Sequence, residues 1–427
     1  MTAEIGILNK TSVVLAADSA VTVGRVNKVF NNANKLFPLS LYEPVGIMIY
    51  NNASWMGIPF EIIIKSYTRK IGKKSFNKLE EYRQDFILFI KENYSSFVDS
   101  NQIKDFIEMR LYEMLDKLME VCKKALEDKC NTLKDKPSEE EKNEIHERIF
   151  FETIDKISTI KSEILPDFQN YKLEEFKTEF KNYINKILPG FYITYNLTRN
   201  AKSTSRIYKA LFHELICSFS QEEDYSGLVI AGYGSEEIFP TICDVKIGEI
   251  ISGKLRYEFS SLGKVTQNKS AIVRPYAQRD MVDTFFQGMN PDILKKMNEI
   301  IPVEFETIIE KISKKYPDVN KSEIRTYFKT GFKHINEKLK TYASKEYIQP
   351  VISSIGYLRK EDLIELAESL INITSVKRKT SDYLQSVGGP VDIAIITKYE
   401  GFVWIKRKEI IDKDLNSIFY NRELKQL

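Results

Sequence analysis

The sequence predicts an α+β fold in which two stacked sheets are covered by helices. Three observations carry that reading. Apolar, strand-like runs open and close the chain, a long glycine-free charged stretch follows the first group of strands, and a second group interrupts the helical material. At roughly 100–200 residues per domain, 427 residues imply about two to four structural units. A composition 43 % hydrophobic and 12 % aromatic is enough to bury a core. A parallel β–α–β arrangement is the structural alternative, but the chain carries no Gly-rich phosphate turn.

Residues 3–9 and 12–18 read as two strands joined by a tight turn at Asn9-Lys10-Thr11. The second, Val13-Val14-Leu15-Ala16-Ala17, is apolar on both faces, as a buried strand is, and ends on Asp18. Further strands are expected at Asn34-Lys35-Leu36-Phe37 and at 45–50. Asn51-Asn52-Ala53-Ser54 breaks that run and predicts a cap for a helix over 54–71. No glycine occurs between Gly72 and Gly190, and apolar residues recur there at helical spacing, as in Phe86, Ile87, Phe89 and Ile90. Several amphipathic helices follow from this, one of them started by Ser138 and Glu141 at capping-box spacing. A helix is expected over 205–220, then strands at 227–234, 239–248 and 253–260, and a helix at 277–288. A second Lys/Glu-rich helical section spans 291–346, a last amphipathic helix 360–379, and two strands, 391–396 and 402–405, close the pattern.

Composition removes several function classes. With 63 basic and 60 acidic residues the net charge is +3, so nucleic acid is not expected as an electrostatic partner. No apolar run reaches the roughly 18 residues of a membrane helix. The opening residues have no basic segment before an apolar stretch, so a cytoplasmic location is expected. The four cysteines form no CxxC pair, which argues for reduced thiols rather than a disulfide scaffold or zinc ribbon. His213-Glu214 begins like a zinc-protease HExxH but lacks the second histidine, so His213 is read as an ordinary helix residue. There is no GxxxxGK[ST] and no GxSxG elbow. Neither a metal nor a cofactor is expected.

What chemistry remains lies at the N-terminus. Methionine before a small residue is commonly removed, and removal of Met1 would leave Thr2 with a free α-amine beside its own hydroxyl. The amine, with an ordinary pKa of about 7.7–8.0, can take the hydroxyl proton as the oxygen attacks a carbonyl. Many chains begin Met-Thr without any such chemistry. The surroundings add weight: Thr2 opens an apolar strand, Asp18 ends the next, and Lys35 lies on a third. A lysine close to the amine would disfavour a second positive charge, and Asp18 would hold and compensate the lysine.

These stretches resemble the proteasome β-subunit family of N-terminal nucleophile hydrolases. The matching pieces are Thr2, the run from Val13 to Ser19, Thr22, Asn34-Lys35-Leu36-Phe37 and the strand from Val45 to Ile49. Ala231-Gly232-Tyr233 resembles the family's strand-ending Gly-Tyr turn, and Ser386-Val387-Gly388-Gly389-Pro390 its Gly-Gly turn before a closing strand. The resemblance implies a four-layer αββα sandwich made of 2–75, 204–290 and 347–410. It leaves 76–203 and 291–346 as helical insertions and 411–427 as a C-terminal tail. Thr2 would be the nucleophile, Lys35 would tune its amine and Asp18 would orient Lys35. Ser386 is a weaker match to the polar pair that supports the amine. A backbone N–H at Tyr50 or Asn51 would serve the oxyanion. Thr22 would hold the substrate backbone as an added strand. Val21, Ala33 and Met48 would line an apolar pocket before the cut, and Asn52 would also bind the substrate. The sequence departs from the pattern at Ala20, where many members carry arginine, and at Tyr50-Asn51-Asn52, where glycine is usual. In having no long segment before Thr2, the chain is similar to the heat-shock and Anbu-type bacterial members, which are much shorter.

The implied function is a threonine peptidase acting on peptides or unfolded protein, assembled as a homo-oligomeric ring, with any ATPase or regulator supplied by a separate protein. Two alternatives stay open at this point. One is an amidase with the same nucleophile acting on a small amide. The other is a non-catalytic scaffold subunit, the expected state if Met1 is retained. The first insertion is either a helical decoration with its own core or a lid over the site.

Overall fold

The computed structural model describes residues 3–23, 28–30, 33–132, 138–219, 225–380 and 388–408. Strands β1 (Ala3–Asn9) and β2 (Val13–Ala17) pair antiparallel around a turn that Asn9 closes. Its Oδ1 accepts from the backbone N–H of Thr11 and Ser12 at 3.0 and 3.1 Å, an Asx turn. A short hairpin follows, β3 (Val21–Val23) with β4 (Lys28–Phe30), then β5 (Leu36–Pro38) and β6 (Val45–Asn51).

At residues 54–59 the structure corrects the expectation of a helix. Ser54–Trp55 (β7) and Ile58–Pro59 (β8) form a hairpin, and helix α1 runs only over Phe60–Ile71. The turn is made by Met56 and Gly57, both at positive φ (49° and 85°), a conformation that no helix start contains. Trp55 is buried and donates its indole N–H to the Gly248 carbonyl at 2.6 Å, which fixes the hairpin to the sheet.

Helices α2 (Leu79–Asn93), α3 (Ser100–Thr132), α4 (Glu139–Ile157), α5 (Leu173–Thr194) and α6 (Ala201–Ile216) come next. Ser138 caps α4 with the expected box: its side chain accepts from Glu141 N–H while Glu141 accepts from Ser138 N–H. Strands β9 (Ser226–Gly232), β10 (Thr241–Ile251), β11 (Lys254–Lys264) and β12 (Ala271–Ala277) follow. Then come α7 (Asp280–Gln287), α8 (Pro291–Lys315), α9 (Lys321–Ala343), α10 (Gln349–Ile355) and α11 (Lys360–Lys379). Strands β13 (Asp392–Thr397) and β14 (Gly401–Lys406) end the described chain.

The result is a mixed α+β fold with two five-stranded sheets among the described residues. One has the order β12-β1-β2-β13-β14, the other β11-β10-β9-β6-β5, and every pairing described in them is antiparallel. The parallel alternative is therefore excluded. The sheets meet through one apolar cluster that takes Leu8, Leu15 and Ile396 from the first and Leu36, Met48 and Val229 from the second. Close approach is permitted by Gly6 and Gly46. A Cβ on Gly6 would lie 2.7 Å from Ile242, and one on Gly46 2.8–2.9 Å from Ile396 and Phe402. The outer face of the first sheet packs Ile5, Ile7 and Val14 against Leu363, Ala367 and Leu370 of α11, with Phe286 of α7. The outer face of the second packs Ile47, Ile49 and Ile230 against α1 and α2, through Phe60, Ile64, Tyr82 and Phe86.

Helices α3 to α6 have a hydrophobic cluster of their own, centred on Leu111, Leu115, Phe150, Phe176, Phe180 and Leu211. The hairpin α8–α9 is different. Ile309 is the one buried residue on α8, and α9 has none. No helix among the described residues is long and apolar enough to cross a membrane.

Candidate active site

Strand β1 alternates its side chains. Ala3, Ile5 and Ile7 join the helix-facing cluster, so Glu4, Gly6 and Leu8 face the second sheet. Asp18 follows β2 immediately, and its backbone is locked to the start of β1. Asp18 N–H donates to the Ala3 carbonyl at 3.0 Å, and Ala3 N–H donates to Asp18 Oδ1 at 3.1 Å. Lys35 directly precedes β5, and its carbonyl accepts from Ile49 N–H on β6 at 2.8 Å. Each partner thus hangs from one of the two sheets, and they meet in the gap.

Lys35 Nζ lies 2.6 Å from Asp18 Oδ1 and 3.1 Å from Glu4 Oε1. The three side chains are at most 3 % exposed. Asp18 Oδ2 accepts from Gly388 N–H at 2.9 Å. Two backbone N–H groups and one ammonium thus share the two oxygens of Asp18. Such a pair is strongly destabilised when one partner is removed, because the remaining charge stays buried.

A second cation flanks the first. Lys408 Nζ donates to Ser19 Oγ (2.7 Å) and the Ala33 carbonyl (2.7 Å) and pairs with Asp392 Oδ2 (2.8 Å). Its backbone N–H also donates to Asp392 Oδ1 at 3.0 Å. Ser19 Oγ donates in turn to the Pro390 carbonyl at 2.5 Å. Lys408 therefore ties together the segments that carry Asp18 and Lys35.

Behind Glu4 lies a buried aromatic and polar wall. Tyr276 is its cross-strand partner, and the Tyr276 ring sits 5.0 Å from that of Tyr50, which meets Tyr225 edge-on at 6.3 Å. Burial, and then the nearby Asp244 carboxylate, pushes the Tyr50 and Tyr276 hydroxyls well up, so both stay neutral donors. Burial also raises the Asp244 carboxyl, against the lowering influence of Ser261 and Arg274. Ser261 Oγ bonds to Asp244 and accepts from Arg274 Nη1 at 2.7 Å.

The expected residues fall as follows. Asp18 and Lys35 are brought together. Thr2 and Ser386 lie outside the described residues, as does the 411–427 tail. Val21 and Thr22 sit on β3, in register with Phe30 and Val29. Ala33 is half-buried, donating its N–H to the Ser19 carbonyl at 3.1 Å. Met48 is fully buried in the cluster between the sheets. Tyr50 turns its ring into the same cluster, while Asn51 ends β6 at a φ of 65° and donates its side-chain amide to the Tyr225 carbonyl at 2.8 Å. Asn52 is half-buried; its Oδ1 accepts from Ser54 N–H at 3.0 Å. Sequence reasoning missed Glu4, Gly388 as a donor, Asp392 and Lys408. Glu4 carried a signal, a single charge inside an otherwise apolar strand. Lys408 carried none, being one of many lysines beside the last strand.

No protein-family model matches the chain, and no curated protein matches it. Among solved structures it is similar to Anbu (ancestral beta-subunit) from Yersinia bercovieri, at 7 % identity over 99 % of this chain and 95 % of that one, with a TM-score of 0.28. It is similar also to the Anbu complex of Pseudomonas aeruginosa, solved as a helical assembly, at 7 % identity over 100 % and 96 %, with a TM-score of 0.31. Anbu from Hyphomicrobium sp. strain MC1 gives 7 % identity over 99 % and 95 %, with a TM-score of 0.29. Likeness at these values adds nothing to the reading of the site, which rests on its own geometry.

Proposed function

We propose that the chain is a proteasome-like threonine peptidase of the N-terminal nucleophile class, with Thr2 as nucleophile after removal of Met1. One observation carries the reading: Lys35 is buried in contact with Asp18, and Asp18 holds the backbone N–H of Ala3, the residue next to Thr2. The two sheets packed face to face, each with helices on its outer side, support an αββα sandwich. In that reading 2–75, 204–290 and 347–410 form the sandwich, with 76–203 and 291–346 inserted. Packing favours counting α2 with the sandwich and α6 with the first insertion.

In the reaction the Thr2 hydroxyl bonds to the scissile carbonyl carbon while its proton passes to the α-amine. The resulting ammonium then protonates the leaving amine, and water releases the acyl group by the same route. Between the two candidate oxyanion donors, strand alternation favours Asn51. Ile49 N–H points toward Lys35, so Asn51 N–H points to that side and Tyr50 N–H to β9. Val21, Ala33 and Met48 give the pocket an apolar preference, Thr22 and Asn52 contact the substrate backbone, and Ser386 supports the amine. Assembly into a homo-oligomer in the cytoplasm, fed by a separate unfoldase, completes the proposal.

The test is an intact mass of the purified protein, followed by peptide hydrolysis by the wild type and Thr2→Ala. Loss of one methionine and cleavage of long peptides after apolar residues, abolished in Thr2→Ala, are expected. Cleavage of acyl amides alone would point to an amidase. Full retention of Met1 would point to a scaffold subunit and overturn the proposal.

A further inference from the structure

Helices α4 and α6 pack against each other, and residues of both line a cleft of about 390 Å³. The lining is wholly polar or charged: Asp155 from α4, and Lys202, Ser205, Arg206 and Lys209 from α6. With 3.6 residues per turn, those four α6 positions share one helix face. Arg206 is anchored there by its own contacts. It donates through Nε and Nη2 to the two Asp155 oxygens at 2.8 and 2.5 Å, and through Nη2 to the Phe151 carbonyl at 2.9 Å. Its guanidinium also lies over the Phe151 ring, 4.6 Å from the centroid. The hydrogen bond from Arg206, and then the charges of Arg206, Lys209 and Lys202, hold the Asp155 carboxyl below its ordinary range. All three cations are thus close to one point. Set against the single carboxylate, they leave the lining with a net charge of +2.

We propose that this cleft binds the phosphate monoester group of a small molecule. The inference goes beyond the peptidase reading and uses none of its residues. A phosphate monoester carries a charge of about −1.5 to −2 near pH 7 and three strong acceptor oxygens, which matches the charge of the lining. Lys202 and Lys209 are exposed and two turns apart, so their ammonium groups can close on the phosphate from either end. Ser205, one turn from each, offers a hydroxyl, and the anchored Arg206 adds a charge in a fixed place. Asp155 repels the anion and so directs it toward the two lysines. An apolar molecule finds no matching surface in this lining. The volume falls in the range of small-molecule sites, about 300–1,000 Å³, and leaves room for the organic part of the ester.

Isothermal titration calorimetry on the full chain tests this with glucose 6-phosphate, glycerol 3-phosphate, AMP and inorganic phosphate, against potassium chloride at matched ionic strength. At least one monoester should bind saturably and more tightly than inorganic phosphate. The double variant Lys202→Gln/Lys209→Gln should weaken that binding by about tenfold or more, since it removes two charge-assisted contacts. Lys202→Arg/Lys209→Arg, which keeps both charges, should largely retain it. Both pairs change exposed side chains, and unfolding curves check that the fold is intact. In the wild type the affinity should fall by about tenfold from pH 7.5 to pH 5, because the ester passes its second pKa near 6 and loses a charge. Inorganic phosphate binding as tightly as every ester would overturn the monoester assignment. No saturation by any of the four up to about 10 mM, or full affinity in the glutamine pair, would overturn the site itself.

Discussion

Replacing Lys35 by methionine keeps most of the side-chain volume and removes the ammonium. Asp18 would retain its two backbone donors, Ala3 N–H at 3.1 Å and Gly388 N–H at 2.9 Å. Glu4 would lose a cation 3.1 Å away. Removing one partner of a buried ion pair costs about 3–5 kcal/mol at neutral pH. With a urea slope of about 3 kcal/mol per molar, the midpoint should fall by roughly 1–1.7 M. The deficit should also depend on pH. A carboxyl deprived of its cation binds a proton more tightly in the folded variant than in the unfolded chain, where its value is about 4. Its contribution is complete below that pH and is lost as pH rises through the folded value. Lys35→Met should therefore approach wild-type stability near pH 4 and fall behind toward pH 7. Urea unfolding at the two pH values measures this. A loss under about 1 kcal/mol at pH 7, or an equal loss at both, would refute the claim that the ammonium compensates the buried carboxylates.

Trp55→Phe should cost about 1–3 kcal/mol, because the Gly248 carbonyl loses its donor in a buried place; thermal or urea unfolding reports it. Gly46→Ala puts a methyl 2.8–2.9 Å from Ile396 and Phe402 and should cost about 1–3 kcal/mol by overpacking, read by urea unfolding. For Asp244, burial raises the carboxyl, so the wild type loses stability as pH climbs from about 4 through the raised value. Asp244→Asn, which cannot ionise, should gain on the wild type over that climb in parallel unfolding curves, and a constant difference would count against the raised value.

Where sequence pattern and packing agreed, the elements were legible. β2 read as a strand because an unbroken apolar run must be covered on both faces, and it is. Helix α11 was delimited by its apolar spacing and lies where expected, over Lys360–Lys379. Strand β12 went unread because Pro275 sits inside it. Proline is tolerated there because β12 is the edge of its sheet and need not donate outward. The hairpin at 54–59 was hidden by its brevity, since two-residue strands have no period to detect. In the site, Asp18 and Lys35 were found because they end or precede apolar runs. Lys408 and Gly388 were not, because their roles arise only when the last strands return to the first ones.

That return governs when the site can exist. Asp18 is held by Gly388 across 370 residues, and Ser19 by Lys408 across 389. Strand β2, central in its sheet, takes β13 as one neighbour. At about 5–20 residues per second, a ribosome reaches codon 408 roughly 20–80 seconds after codon 18. Through that interval the amino terminus is already exposed to methionine removal, yet the carboxylate that steadies Lys35 lacks a backbone donor, and β2 lacks one side of its sheet. The charge cluster is therefore completed only after nearly the whole described chain has been made.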